Sequence, residues 1–262
     1  MGARTFTSLA AALLLAAAGC ERQEQAEGQA EGQAQGQAQA GFEEDVIPTS
    51  AGDLTITFIG HGTLMFRFDG KVIHVDPVGR EADYGTMPDA DLVLVTHEHG
   101  DHLDPDALAA IRTGETVVIC SPSCEGEVEG AIVMANGDSR TELGIGIEAI
   151  PAYNMVHMRS SGQPYHPKGN GNGYVLTFGD TRVLVAGDTE NTPELKALED
   201  IDVAFLPMNV PYTMTPEMVA DAARAFRPRI LYPYHFGDTD TNELVELLEG
   251  EEGIEVRVRE MS

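Results

Sequence analysis

Thr96-His97-Glu98-His99-Gly100-Asp101-His102 places four potential metal ligands within six residues, directly after the apolar run Leu92-Val93-Leu94-Val95. An apolar run of that length reads as a buried strand, so the ligands stand where a strand gives way to a loop. His97 and His99 can point the same way and grip one ion. Asp101 and His102 turn the other way and can hold a second ion close by. Imidazole and carboxylate together suit zinc, iron or manganese better than calcium or magnesium. A merely solvated, His-rich loop is the alternative, but neutral imidazoles gain nothing by crowding unless a cation makes crowding favourable.

Two further regions repeat the arrangement. Val183-Leu184-Val185-Ala186 runs into Gly187-Asp188-Thr189, where a carboxylate could bridge two cations with one oxygen to each. Ile230-Leu231-Tyr232-Pro233-Tyr234 runs into His235. Alone, Asp188 would be a turn residue and His235 a packed histidine. Their shared position after a strand argues for one cleft.

The elements that must position these residues alternate between strand and helix. Residues 54–59, 64–68 and 72–75 form consecutive antiparallel strands, joined through Gly60-His61-Gly62 and the hairpin signal Asp69-Gly70. Asp104-Pro105 caps and opens a helix to about Ile111. Short strands follow at 116–120, 131–135 and 145–150, then a hairpin of 174–178 with 182–186. The last third gives helix 193–199, strand 202–206, helix 215–226, strand 229–233, helix 240–249 and strand 254–258. This order fits an α/β fold, an αββα sandwich of two mixed sheets flanked by helices. The Gly169–Gly173 run precedes a strand instead of joining strand to helix, so it is no dinucleotide loop. It lets backbone approach the metals or serves as a turn. Serine-hydrolase chemistry lacks its Gly-x-Ser-x-Gly signature.

Residues 1–19 read as a signal peptide, with Arg4 before an apolar stretch too short to span a bilayer. Residues 20–44 read as a tether of Glu, Gln, Ala and Gly that cannot bury enough apolar surface to order itself. Residues 45–262 suffice for one sizeable domain. The net charge of −27, from 43 acidic and 16 basic residues, argues against nucleic acid or an anionic lipid surface as the main partner. Cys120 and Cys124 either pair across Ser121-Pro122-Ser123 in an oxidising compartment or stay as buried thiols.

Ala17-Ala18-Gly19-Cys20 resembles a bacterial lipobox, although Ala17 stands where Leu is usual. That resemblance implies a lipid on Cys20, a membrane anchor, and a place in the bacterial cell envelope facing the periplasm or cell surface. The domain resembles the metallo-β-lactamase superfamily, in the branch of L-ascorbate-6-phosphate lactonase-like proteins and, more distantly, N-acyl-phosphatidylethanolamine phospholipase D. The residues that carry it are Gly60-His61-Gly62-Thr63, Val75-Asp76-Pro77, the heptapeptide at 96–102 and Pro151-Ala152-Tyr153-Asn154. His166-Pro167-Lys168-Gly169, Ala186-Gly187-Asp188-Thr189, Tyr212-Thr213-Met214-Thr215 and Pro233-Tyr234-His235 complete the series. The resemblance implies His97 and His99 on one metal, Asp101, His102 and His235 on the other, and Asp188 between them. The third His of the first metal is His166, with His157 as competitor. Asp76 would orient ligand imidazoles. His61 would contact substrate or be a turn residue, and Tyr212 would reach substrate or pack. His74 is out of phase with the site.

Two divalent ions, most simply zinc, with manganese or iron as alternatives, would make a bridging hydroxide available near neutral pH. The expected activity is hydrolysis of an ester, lactone or phosphodiester in a small-molecule substrate, with Asp101 orienting or relaying the proton. A mononuclear-iron sulfur dioxygenase shares several ligands. A noncatalytic, surface-tethered metal-binding scaffold is the reading from another class.

Overall fold

Two seven-stranded sheets stack face to face in the computed structural model, which describes residues 41–261. The signal peptide, Cys20 and nearly all of the expected tether lie outside the described residues. The first sheet runs in sequence order: β1 (Glu43–Thr49), β2 (Gly52–Gly60), β3 (Thr63–Phe68), β4 (Lys71–Val75), β5 (Ala90–Val95), β6 (Arg112–Cys120) and β7 (Ile132–Val133). The second comprises β8 (Ser139–Glu142), β9 (Ile145–Ala152), β10 (Gly171–Phe178), β11 (Thr181–Val185), β12 (Val203–Pro207), β13 (Ile230–Tyr234) and β14 (Glu255–Val256), again in chain order across the sheet. Both sheets are mixed. β4, β5 and β6 are parallel neighbours, as are β11, β12, β13 and β14, while the remaining pairs in β1–β4 and β8–β11 are antiparallel.

Period-two alternation explains the continuous apolar runs, because the central strands are covered on both faces. Leu92 and Leu94 of β5 face the core between the sheets, while Val93 and Val95 face the outer layer that holds α1 (Pro105–Ile111). Val203 and Phe205 of β12 point inward, and Ala204 and Leu206 outward onto α2 (Pro193–Lys196), α3 (Pro216–Phe226) and α4 (Thr241–Leu247). Asp104 caps α1 as its sequence suggests, accepting from the backbone N–H groups of Asp106 and Ala107 at 2.9 and 3.3 Å.

Several boundaries differ from expectation. β1 starts at Glu43, inside the stretch assigned to the tether, because Glu44 accepts from Arg67 and Thr57, both at 2.8 Å. Helix 193–199 is only the single turn Pro193–Lys196, and the chain passes through left-handed Asp200 (φ 55°) before β12. Strand 254–258 shortens to Glu255–Val256. Cys120 and Cys124 are both free and buried. Among the described residues no helix is long and apolar enough to cross a membrane.

Strand direction decides where the chemistry collects. The pairing sends the C-terminal ends of β2, β4 and β5 to one edge of the first sheet, and those of β9, β11 and β13 to one edge of the second. The two edges meet. The His235 N–H donates to the His61 carbonyl at 3.0 Å, the Asn172 N–H to the Thr96 carbonyl at 2.9 Å, and the Tyr174 hydroxyl to the Val95 carbonyl at 2.9 Å.

Candidate metal centre

Each strand that reaches this edge releases one or more polar side chains: His61 after β2, Asp76 after β4, Thr96 and His97 after β5, Asp188 after β11 and His235 after β13. His61, Asp76 and His235 all take left-handed backbone conformations, with φ of 50°, 46° and 47°. Three such residues at one edge mark a place where folding tolerates local strain to aim side chains.

The side chains form two groups about one carboxylate. In the first, His99 Nδ1 lies 3.0 Å from His97 Nε2 and 3.2 Å from His166 Nε2. Asp188 Oδ2 faces this group, 3.2 Å from His166 Nε2 and 3.9 Å from His97 Nε2. In the second, Asp188 Oδ1 lies 3.3 Å from His102 Nε2 and 3.4 Å from His235 Nε2, and Asp101 Oδ2 stands 3.8 Å from His235 Nε2. One oxygen of Asp188 therefore addresses each group.

The donor set fits metal ions. His102 Nε2, His235 Nε2 and Asp188 Oδ1 are buried without a hydrogen-bond partner, an arrangement that costs free energy unless something else fills it. Three groups have ligand atoms close enough to share an ion: His97, His99 and His166; His97, His102 and Asp188; and Asp101, His102 and His235 together with His61.

Hydrogen bonds behind the imidazoles fix which nitrogen faces inward. His102 Nδ1 is 2.7 Å from Asp76 Oδ2, His97 Nδ1 is 3.0 Å from Thr96 Oγ1, and His166 Nδ1 is 2.8 Å from Asn154 Oδ1. Each leaves Nε2 toward the cluster, the usual way that outer partners orient ligand histidines. Asp76 is itself pinned, accepting from the Thr96 N–H at 2.7 Å and the Thr96 hydroxyl at 2.6 Å. Burial disfavours the charged imidazolium of His97, and neighbouring His102 adds to the effect, holding His97 well below its ordinary value. Burial opposes charge on Asp188 too, but His235 and His102 outweigh it and keep the carboxyl ionised.

The structure brings His97, His99, Asp101, His102, His166, Asp188 and His235 together. His157 stands apart: its Nδ1 lies 3.0 Å from Glu190 Oε1. His61 stacks on His235 with ring centroids 3.7 Å apart, and its Nε2 is 3.3 Å from Asp101 Oδ2. His74 is buried on β4, with Nε2 donating to the Pro88 carbonyl at 3.2 Å.

A family model described as the beta-lactamase superfamily domain matches residues 55–235, from within β2 to His235. The chain belongs to the beta-lactamase superfamily. A UPF0173 metal-dependent hydrolase from Methanopyrus kandleri is 31% identical over 195 residues, covering 70% of this chain and 84% of that protein. A crystal structure from Parabacteroides distasonis, of a protein described as a candidate metal-dependent hydrolase, is 50% identical with a TM-score of 0.81 and covers 84% of this chain and all of that one. Igni18, a metallo hydrolase from Ignicoccus hospitalis, is 26% identical with a TM-score of 0.64, covering 79% of this chain and 95% of that one.

In this superfamily member a cleft of about 370 Å³ opens over the cluster, lined by His99, Asp101, Asp188 and His235 below and by Arg159, Tyr165, Asn209 and Tyr212 around the mouth. Tyr212 is 46% exposed and meets Tyr165 edge-on, with ring centroids 5.0 Å apart. Sequence reasoning overlooked Arg159, Tyr165, Asn209, Asn154's side-chain role and Glu190. All five lie in or beside irregular segments, where no periodicity marks an inward-facing residue. Glu190 is fully buried, and accepts from three consecutive backbone N–H groups, those of Met155, Val156 and His157, at 2.8, 2.8 and 2.7 Å.

Proposed function

We propose that the protein is a dinuclear metal-dependent hydrolase of small esters, lactones or phosphodiesters. His97, His99 and His166 would hold one divalent ion, Asp101, His102 and His235 the other, and Asp188 would bridge them. The observation that carries this reading is the division of Asp188, whose two oxygens address separate groups of nitrogens. The names of the relatives from Methanopyrus kandleri and Ignicoccus hospitalis, both hydrolases, support the reaction class. Bound ions at this donor set, zinc by the chemistry of imidazole and carboxylate, with manganese or iron also suited, supply Lewis acidity and a water of lowered pKa.

The chain's own residues do the rest. Asp101 Oδ2, on the cleft side of the cluster, accepts the proton of the attacking water, and His61 Nε2 beside it holds that oxygen in place or passes the proton outward. Tyr212, half-exposed at the mouth, meets the substrate as it enters. Asp76, Thr96 and Asn154 keep three imidazoles from rotating, so the ligand geometry does not have to be reorganised during turnover. The lipobox-like segment adds an anchor: lipid on Cys20 would tether the enzyme to the cell envelope, with residues 20–44 giving reach.

Elemental analysis of protein purified without added metal, for wild type and Asp188→Ala, tests the centre. Two ions per chain, falling in the variant together with esterase and diesterase activity, is the expected result. One iron per chain would favour dioxygenase chemistry instead, and turnover that survives complete metal loss would overturn the mechanism.

A further inference from the structure

Arg159 is anomalous in this molecule. Acidic residues outnumber basic ones 43 to 16, and among the described residues every lysine and arginine except Arg112 and Arg159 is ion-paired with a carboxylate. Arg112 lies away from the cleft and donates to the Glu129 carbonyl at 2.8 Å. Arg159 lines the cleft itself.

Its position is built. The Arg159 N–H donates to the Gln163 carbonyl at 2.7 Å, and the Gly162 N–H to the Arg159 carbonyl at 2.8 Å, closing a tight turn. The guanidinium lies over the Tyr165 ring, 5.1 Å from its centroid, and Nη2 donates to the Tyr165 carbonyl at 3.1 Å. One of five donors is so engaged, which leaves most of a planar fork that matches oxyanions bidentately.

The same Nη2 is 3.5 Å from His99 Nε2. His99 turns Nδ1 into the cluster, so when Nδ1 serves as a ligand the ring proton sits on Nε2. Two donors then face each other beside the first group of histidines with no acceptor between them. An oxyanion at this corner would accept from both.

We propose that Arg159, with the His99 Nε2–H, is the substrate-recognition corner of the cleft and selects an anionic phosphodiester over a neutral ester or lactone. The proposal rests on the hydrolase reading above and narrows its substrate class. A non-bridging phosphate oxygen is held by the Arg159 fork and the His99 Nε2–H, beside the first group of histidines. The water oxygen forms a new P–O bond, the P–O bond to the leaving alcohol breaks, the alcohol departs with one proton, and the phosphate monoester gives up the other.

Binding and turnover separate the possibilities. Inorganic phosphate is titrated calorimetrically into metal-loaded wild type, Arg159→Ala and Arg159→Lys, whose metal contents are checked first. Phosphate affinity falls at least about tenfold in Arg159→Ala and recovers in part in Arg159→Lys, in line with loss of a charge-assisted bidentate contact. The ratio of kcat/KM for bis(4-nitrophenyl) phosphate to that for 4-nitrophenyl acetate falls by a similar factor. Unchanged phosphate affinity in Arg159→Ala overturns the proposal whatever the activity. Equal loss of both substrates, or loss of metal from the variant, makes Arg159 a support for His99 and overturns it also. Weakened phosphate binding in a protein that turns over neither substrate keeps the anion corner and sinks the hydrolase reading.

Discussion

At the scale of single residues, Gly62 is absent of side chain because His102 needs the space. A Cβ on residue 62 would lie 2.7 Å from His102 Cε1, and that buried ring is held at Nδ1 by Asp76 Oδ2 at 2.7 Å. Gly62→Ala should cost about 1–3 kcal/mol and lower metal stoichiometry, measured by urea unfolding and elemental analysis. His74 makes a second prediction. Burial pushes its imidazole down to about 4 from the ordinary 6.5. The unfolded chain therefore takes up the proton first, so the stability is complete above pH 6.5 and is lost as pH falls toward 4. The loss is at most roughly 3 kcal/mol, from the size of that shift. His74→Gln, compared with wild type in chelator, should flatten this part of the pH–stability curve; identical slopes would remove His74 from the account. Six of the seven candidate ligand positions stood out in the sequence because the heptapeptide, Asp188 and His235 each come after an apolar run, whereas His166 follows Ser-Gly-Gln-Pro-Tyr and was marked only by the family resemblance, with His157 as competitor. Arg159 and Glu190 did not stand out, since an arginine or glutamate outside regular structure looks like any solvated charge until its partners are known.

At the scale of elements, the strands with two covered faces were legible as apolar runs, and the strand-end rule then located the site. Two of the four edge strands were not. β1 reads Glu-Glu-Asp-Val-Ile-Pro-Thr and β8 reads Ser-Arg-Thr-Glu, and neither has an apolar face long enough to register. β1 is held by cross-sheet polar contacts, chiefly Asp45 accepting from Arg259 Nη2 and the Tyr232 hydroxyl, which no local pattern reveals. The segment after β9 carries the sharper consequence. Glu190 organises residues 155–157 through their backbone N–H groups, and Asn154 within the same turn spans Glu190 and the Tyr212 carbonyl, at 3.1 and 2.9 Å. Burial raises the Glu190 carboxyl, but the bonds from His157, Met155 and Asn154 outweigh it and hold the group below its ordinary value. Glu190→Gln turns one acceptor into a donor facing donors. It should cost roughly 2 kcal/mol and raise KM more than it lowers kcat; limited proteolysis should cut between 155 and 165, where wild type resists.

At the scale of the whole molecule, the candidate metal centre draws on both sheets. His97, His99 and His102 follow β5 of the first, while His166, Asp188 and His235 flank β10, β11 and β13 of the second. Ions bound there would fasten one layer to the other and link occupancy to global stability. A chelator should lower the Tm of wild type, and metal should restore it. Asp188→Ala should already melt near the chelated value and respond to neither, as a thermal-shift titration would show. The same distribution has a meaning in time. No half of the chain can bring both ligand groups together, because the first sheet's histidines wait on a residue delivered by the penultimate strand of the second. The candidate centre is thus complete only once both layers have closed, and a chain in which either sheet is unformed lacks one of its two groups.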